Sequence, residues 1–275
     1  MPYEIIDTHV HYWEPDRPDR PWDKGGVNIG PPLAVEQLIA DADAAGVGKI
    51  VQVTPTIMGY DNRYGIECAR RFPDRIVGVF VRFDPIGDDM PERLRRLIDD
   101  PAVIGVRLTL IKPPWDQWLA QRELEPFWEE SARAGIPVAV YAPHQARLLA
   151  QAAHRHPQLH MLVDHMTLSH HDAEPFTNWS DVLELADEPN VWMKVSYLPE
   201  VAREPYPFTG MQRYFRELYD AFGSKRLMWG SNYPPSRAAA SYKESVDFVR
   251  SLPFLSENDK ARIFAKNFLE VAGLA

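Results

Sequence analysis

The sequence predicts an α/β protein, a single-domain (β/α)8 TIM barrel over residues 1–275. Three observations lead there. Eight short apolar, β-branched runs recur along the chain, segments of helical spacing lie between them, and no glycine-rich phosphate loop follows the first run.

The runs are Glu4–His11, Lys49–Thr54, Arg75–Asp84, Val103–Leu110, Ile136–Ala142, Leu159–Met166, Val191–Ser196 and Arg226–Asn232. The stretches between them read as helices with definite ends. "LAVEQLIADADAAG" closes at Gly46, "LEPFWEESARAG" closes at Gly135, "HQARLLAQAAHRH" is stopped by Pro157, and "PERLRRLIDD" has the same spacing. Strand starts lie roughly thirty residues apart, the length a parallel crossover needs. No sequence repeat has that period, which argues against a solenoid. The runner-up is a doubly wound open sheet, but neither GxGxxG nor GxxxxGK[ST] follows the first strand. A barrel places its chemistry at the C-terminal ends of the strands. The long, Pro- and Trp-rich loops Tyr12–Leu33 and Tyr197–Gly210 fall on that side, whereas "AGVGK" and "RAGIP" are tight links on the other.

Composition narrows the partners. The chain is 45% apolar and 25% charged, enough to bury a large core. With 30 basic against 39 acidic residues its net charge is −9, which excludes a general affinity for nucleic acid or anionic membrane. The one cysteine, Cys68, rules out an intrachain disulfide and a multi-cysteine metal site and fits a reducing cytoplasm. "MPYEIIDTHV" lacks a basic region followed by an apolar run, and no apolar stretch approaches the ~20 residues of a membrane span. The expectation is a soluble cytoplasmic protein acting on a small molecule, with oligomeric state left open.

Candidate functional residues cluster at strand ends. In "DTHVH", His9 and His11 are two apart on a strand and share a face near its C-terminal end. Core histidines satisfied by neighbours are the bland alternative, and other strands must decide. His165 ends the sixth run in "LVDHMT" and Asn232 ends the eighth in "RLMWGSNYPP". Three imidazoles and an oxygen donor from different strand tops suit one divalent metal ion, zinc above all, held by His9, His11 and His165. His144 in "YAPHQ" is either a further ligand or a helix-start residue. His154, His156 and His160 read as solvated helix-end residues, and His170 and His171 as loop residues.

The succession "IDTHVH", "DNRYGIECARRFPDRIVGVFVRFDP", "VIGVRL", "LVDHM", "NVWMKVS" and "RLMWGSNYP" resembles the amidohydrolase superfamily. Within it, the branch containing 2-pyrone-4,6-dicarboxylate lactonase and the sugar lactonases is the most similar. The likeness runs from residue 5 to about residue 270 and is most specific at its two ends. It implies hydrolysis of a lactone or similar ester, with His9, His11 and His165 as the polar centre and a metal that some members keep and others do without. In this branch the residue matching Asn232 is commonly an aspartate that activates water. The fourth strand carries Arg107 and no lysine, with Lys112 beyond it, so the resemblance does not extend to a binuclear centre.

An amide cannot take a proton from water near neutral pH, so Asn232 is not a general base. It can ligate weakly or hydrogen-bond a substrate carbonyl or water. Three explanations stand: a subgroup with another base, an inactivated site, or a barrel that binds without turnover. For another base, His165 comes first and water activated by a metal ion second. Cations at strand tops indicate an anionic substrate: Arg82, Arg107 and Lys194 each either pair with a structural carboxylate such as Asp84 or Asp164, or together hold a carboxylate. Arg203 and Arg237 are loop additions to that set. Tyr141 is a donor candidate, and Trp13, Trp22, Trp115, Trp118, Tyr197 and Tyr233 are candidate covers for a planar or sugar-like ligand, while Trp128 and Trp179 read as core. The reading is a hydrolase opening a carboxylate-bearing lactone, with Arg107 and Tyr141 holding substrate and the developing oxyanion. The alternatives are a non-oxidative decarboxylase of an aromatic or dienoic acid and a non-catalytic binding barrel.

Overall fold

The computed structural model describes residues 3–275. A strand forms in each of the eight apolar runs: β1 Ile6–Val10, β2 Lys49–Val53, β3 Ile76–Arg82, β4 Val103–Thr109, β5 Val138–Tyr141, β6 Met161–Val163, β7 Val191–Val195 and β8 Leu227–Trp229. They lie in sequence order, each parallel to the next. Being covered on both faces, they read as near-continuous apolar runs, which is why the sequence exposes them so clearly. β8 returns to β1 through the Thr8 hydroxyl, which donates to the Trp229 carbonyl at 2.7 Å. The Asn232 N–H donates to the His9 carbonyl at 2.9 Å and the His11 N–H to the Tyr233 carbonyl at 2.8 Å, so the barrel is nearly closed.

The main helices after the strands are Val35–Ala45, Arg63–Arg71, Met90–Ile98, Glu125–Ala134, Ala146–Arg155, Trp179–Glu184, Met211–Phe222 and Tyr242–Ser251. Gly46 (φ 79°) and Gly135 (φ 67°) end their helices in the left-handed conformation expected of them. His156 departs from the expectation: it is buried, and its Nε2 lies 2.9 Å from Glu125 Oε2. His154 is exposed, and His160 packs edge-on against Trp192.

One core lies between strands and helices. A second fills the barrel with Ile6, Val51, Phe80, Ile104, Leu162 and Met228. Here Gly105 is obligatory, because a Cβ on it would fall 2.1 Å from the Phe80 ring. The C-terminal segment stops this core with Ala265, Phe268 and Val271. It is tied to the start of β8 by Asn267 Nδ2, which donates to the Ser224 and Leu227 carbonyls at 2.6 and 2.8 Å. That end of the barrel is thereby sealed, and the polar groups gather at the other. Over the open end lies the loop Tyr12–Leu33, pinned by Asp23 N–H to the Ile57 carbonyl (2.7 Å) and Val27 N–H to the Thr56 hydroxyl (2.9 Å). Among the described residues no helix is long and apolar enough to cross a membrane.

Candidate active site

A cleft of about 650 Å³ opens where the strands end, its lining including His11, Arg107, Tyr141, His165, Glu200 and Asn232. The sequence places His9 and His11 on one face of β1, and their ring centroids stand 4.9 Å apart, with His165 4.5 Å from His9. The close approach has a backbone cost. His165 (φ 57°) and Asn232 (φ 54°) are left-handed, as are Met166 (φ 56°) and the β-branched Thr167 (φ 55°). His and Asn tolerate that region better than most residues, whereas at Thr167 it is a strained conformation held by its surroundings. Gly230 is required for a different reason: a Cβ there would lie 2.7 Å from that of His9.

Asp7 ties the two ends of this arrangement together. Its Oδ1 accepts from the N–H groups of His9 (3.0 Å) and Ser231 (2.9 Å), and its Oδ2 accepts from the Tyr242 hydroxyl at 2.7 Å. Burial pushes its carboxyl up to about 6 against these bonds.

Two imidazoles commit Nδ1 to a neighbour, His11 to the Val53 carbonyl at 2.7 Å and His165 to the Ser196 hydroxyl at 2.6 Å, while His9 Nδ1 lies 3.3 Å from Asp164 Oδ1 without forming a hydrogen bond. Burial keeps all three neutral, bringing His11 down to about 4 and His9 and His165 well below the usual imidazole range, the last with help from His9.

Beneath them is the fully buried Asp164. Arg107 Nε lies 2.9 Å from its Oδ2 and Lys194 Nζ 3.2 Å from its Oδ1. Burial alone would raise its pKa, but Lys194, Arg107 and His9 overcome that and hold it well below the carboxylate range. So Arg107 and Lys194 take the bland role the sequence left open to them, pairing with a structural carboxylate. Arg107 still reaches the cleft, while Lys194 is fully buried beneath it and donates to the Thr8 carbonyl at 3.2 Å.

The side chain of Asn232 answers the substitution noted in the sequence. Its Nδ2 donates to Glu200 Oε1 at 2.9 Å, and the same amide reaches His11. Glu200 is the residue sequence reasoning missed. It rides on a short helix, Leu198–Val201, inside the second long loop. Burial raises its carboxyl to about 8, only partly offset by the Asn232 bond. The sequence signal was a lone acid among apolar neighbours in "YLPEVA". Around it Tyr197 stacks on His165 at 3.8 Å and Tyr141 meets the same ring edge-on at 4.9 Å. Burial lifts the Tyr141 hydroxyl to about 12, so it remains a donor.

Other expected substrate contacts lie elsewhere. Trp13 is buried beneath the first loop with Ile57 and Met58. Tyr233 stacks on Tyr242 at 4.5 Å and donates its hydroxyl to Asp41 at 2.8 Å. Arg203 is exposed and donates to the carbonyls of His171 (3.4 Å) and Asp172 (3.3 Å). Arg82 is buried at the end of β3 against a separate, smaller pocket. His144, His170 and His171 do line the cleft.

The donor chemistry suits a divalent cation, since the imidazoles are neutral, Nδ1 of His11 and of His165 is held by a neighbour, and His9 Nε2 is buried with no hydrogen-bond partner. The arrangement is looser than a metal cage, however. No group of three or more His, Cys, Asp or Glu side chains among the described residues is set to hold a metal ion. Charge also opposes tight retention, because Arg107 and Lys194 already outnumber Asp164 and Asn232 brings no charge.

The amidohydrolase family model matches residues 6–271, nearly the whole chain. The chain belongs to the amidohydrolase family. This amidohydrolase, a hydrolase by family, is 28% identical to an L-fucono-1,5-lactonase of Burkholderia ambifaria over 274 residues, covering 95% of this chain and 93% of that protein. Its fold matches an amidohydrolase of Burkholderia multivorans crystallised with bound zinc, at TM-score 0.84 and 22% identity over 99% of this chain and 100% of the other. It also matches a probable 2-pyrone-4,6-dicarboxylic acid hydrolase of Acinetobacter baumannii with citric acid bound, at TM-score 0.78 and 19% identity over 98% and 99% of the two chains.

Proposed function

We propose that this amidohydrolase opens a carboxylate-bearing lactone by water attack, with Glu200 as the general base and Asn232 as its partner. The observation that carries the reading is the half-buried Glu200 carboxyl, which lines the cleft with His11 and His165 and is bonded to Asn232 at 2.9 Å, where burial raises it to about 8. A general base works best with a pKa near the operating pH. The neutral histidines sit too low for that role, so Glu200 replaces His165 as the preferred base. The Asn232 amide donates to the Glu200 carboxylate and fixes its orientation, which gives an asparagine a use where a catalytic aspartate is the commoner residue.

Tyr141 stays protonated and supplies a donor to the oxyanion that develops as the ring carbonyl is attacked. Arg107, anchored through Nε by Asp164, presents the rest of its guanidinium to a substrate carboxylate. His144, His170 and His171 at the rim add polar groups suited to a hydroxylated or planar ring. A single divalent ion, zinc by preference, would take the imidazoles of His9, His11 and His165 when bound and polarise the lactone carbonyl. The lactonase name of the Burkholderia ambifaria relative supports the reaction class.

The test is a panel of sugar and aromatic lactones, with and without a ring carboxylate, followed by acid release in weakly buffered indicator solution. Turnover of carboxylated members, lost in Glu200→Gln, is the expected result. Tight binding of the same lactones without acid release would overturn it.

A further inference from the structure

Arg82 stands apart from the cleft chemistry. It ends β3, is 4% exposed, and donates Nε to the Gly59 carbonyl at 2.8 Å, yet its Nη1 is buried with no partner. No Asp or Glu among the described residues forms an ion pair with it; Asp23 and the Tyr60 hydroxyl favour its charge without pairing it, and the charge of Arg107 opposes it. On β4, paired with β3, the Thr109 hydroxyl is likewise buried with no partner. Both side chains line one small pocket, together with Tyr60 and Trp115, whose rings lie 5.5 and 5.8 Å from the guanidinium carbon. Its volume is about 10 Å³, room for one water-sized occupant.

We propose that Arg82 and Thr109 bind a small monoanionic group in this pocket, which adjoins the lactone-opening cleft. A guanidinium buried without a paired carboxylate is costly, and a water molecule would satisfy its hydrogen bond but not its charge. A halide, or one oxygen of a carboxylate, does both and accepts from the Thr109 hydroxyl as well. Two sources share that chemistry: a free anion from solution, or the carboxylate of a substrate lying in the cleft. The second is open because Arg107 and Thr109 line both cavities.

The probes are chloride and bromide, with binding read apart from turnover so that the lactone reading stands or falls separately. Crystals soaked in bromide should show an anomalous peak beside Arg82. Replacing a bulky aromatic sulfonate, too large for the pocket, by chloride at constant ionic strength should raise Tm by roughly 3 °C at tenfold excess over Kd. Arg82→Met should abolish both effects, and Thr109→Val serves if that variant does not fold. Competition between chloride and the lactone assigns the pocket to the substrate carboxylate, and binding without competition assigns it to a free anion. No bromide peak, with the same anion dependence in wild type and variant, overturns the proposal.

Discussion

Replacing Glu200 by Gln removes a carboxyl that the fold keeps protonated far above its ordinary range, and both stability and rate should register the loss. The ordinary value of 4.5 rises to about 8, with burial as the leading cause. Between those two values the unfolded chain has released this proton and the folded chain has not. The group then lowers unfolding free energy by about 1.4 kcal/mol for each pH unit gained. Its stabilising share is complete below pH 4.5 and is lost as pH rises through about 8. Relative to Glu200→Gln, wild type should therefore lose on the order of 3–5 kcal/mol between pH 4.5 and 8. Urea denaturation of both proteins at unit pH steps measures that difference. In parallel kcat/KM of wild type should climb through about pH 8 as the base ionises, while the variant falls by about 10²–10⁴-fold with that limb missing. Parallel stability curves for the two proteins, together with retained activity in the variant, would refute the assignment.

Asn232→Asp puts a second carboxyl 2.9 Å from Glu200 in place of a donor, so the alkaline limb of the rate profile should move up by a unit or more and alkaline stability should drop. An unchanged profile would contradict the coupling. Asp164→Asn leaves the buried Arg107 and Lys194 without a counter-charge and should cost about 3–5 kcal/mol in urea denaturation. Gly230→Ala drives a methyl toward His9 Cβ, 2.7 Å away, and should reduce activity more than it reduces Tm. Zinc measured by elemental analysis after dialysis should fall below one equivalent per chain, because the imidazoles are not gathered into a cage, and two retained equivalents would contradict this.

The barrel was legible because parallel strands are buried on both faces, so each of the eight reads as a bounded apolar run whatever its neighbours are. His9, His11, His165 and Asn232 were legible for a related reason, as polar residues at the ends of such runs have one place to go in a barrel. Glu200 was not. Its burial depends on how a fourteen-residue stretch, Tyr197 to Gly210, folds back across the mouth, and no local periodicity encodes that path. The same limit explains Trp13 and Tyr233, which follow strands as expected but turn outward into the first loop's apolar cluster and toward Asp41. Lys194 shows a further limit. Its strand was identified correctly, yet the depth at which it meets Asp164 is a property of the closed barrel.

Ring opening in ¹⁸O-water, with the product analysed by mass spectrometry, tests the central claim most directly. Hydrolysis by water attack at the lactone carbonyl predicts a hydroxy acid carrying one ¹⁸O atom, located in the newly formed carboxylate. Release of carbon dioxide with the ring intact, or recovery of unlabelled lactone after prolonged incubation with every carboxylated candidate, would contradict it.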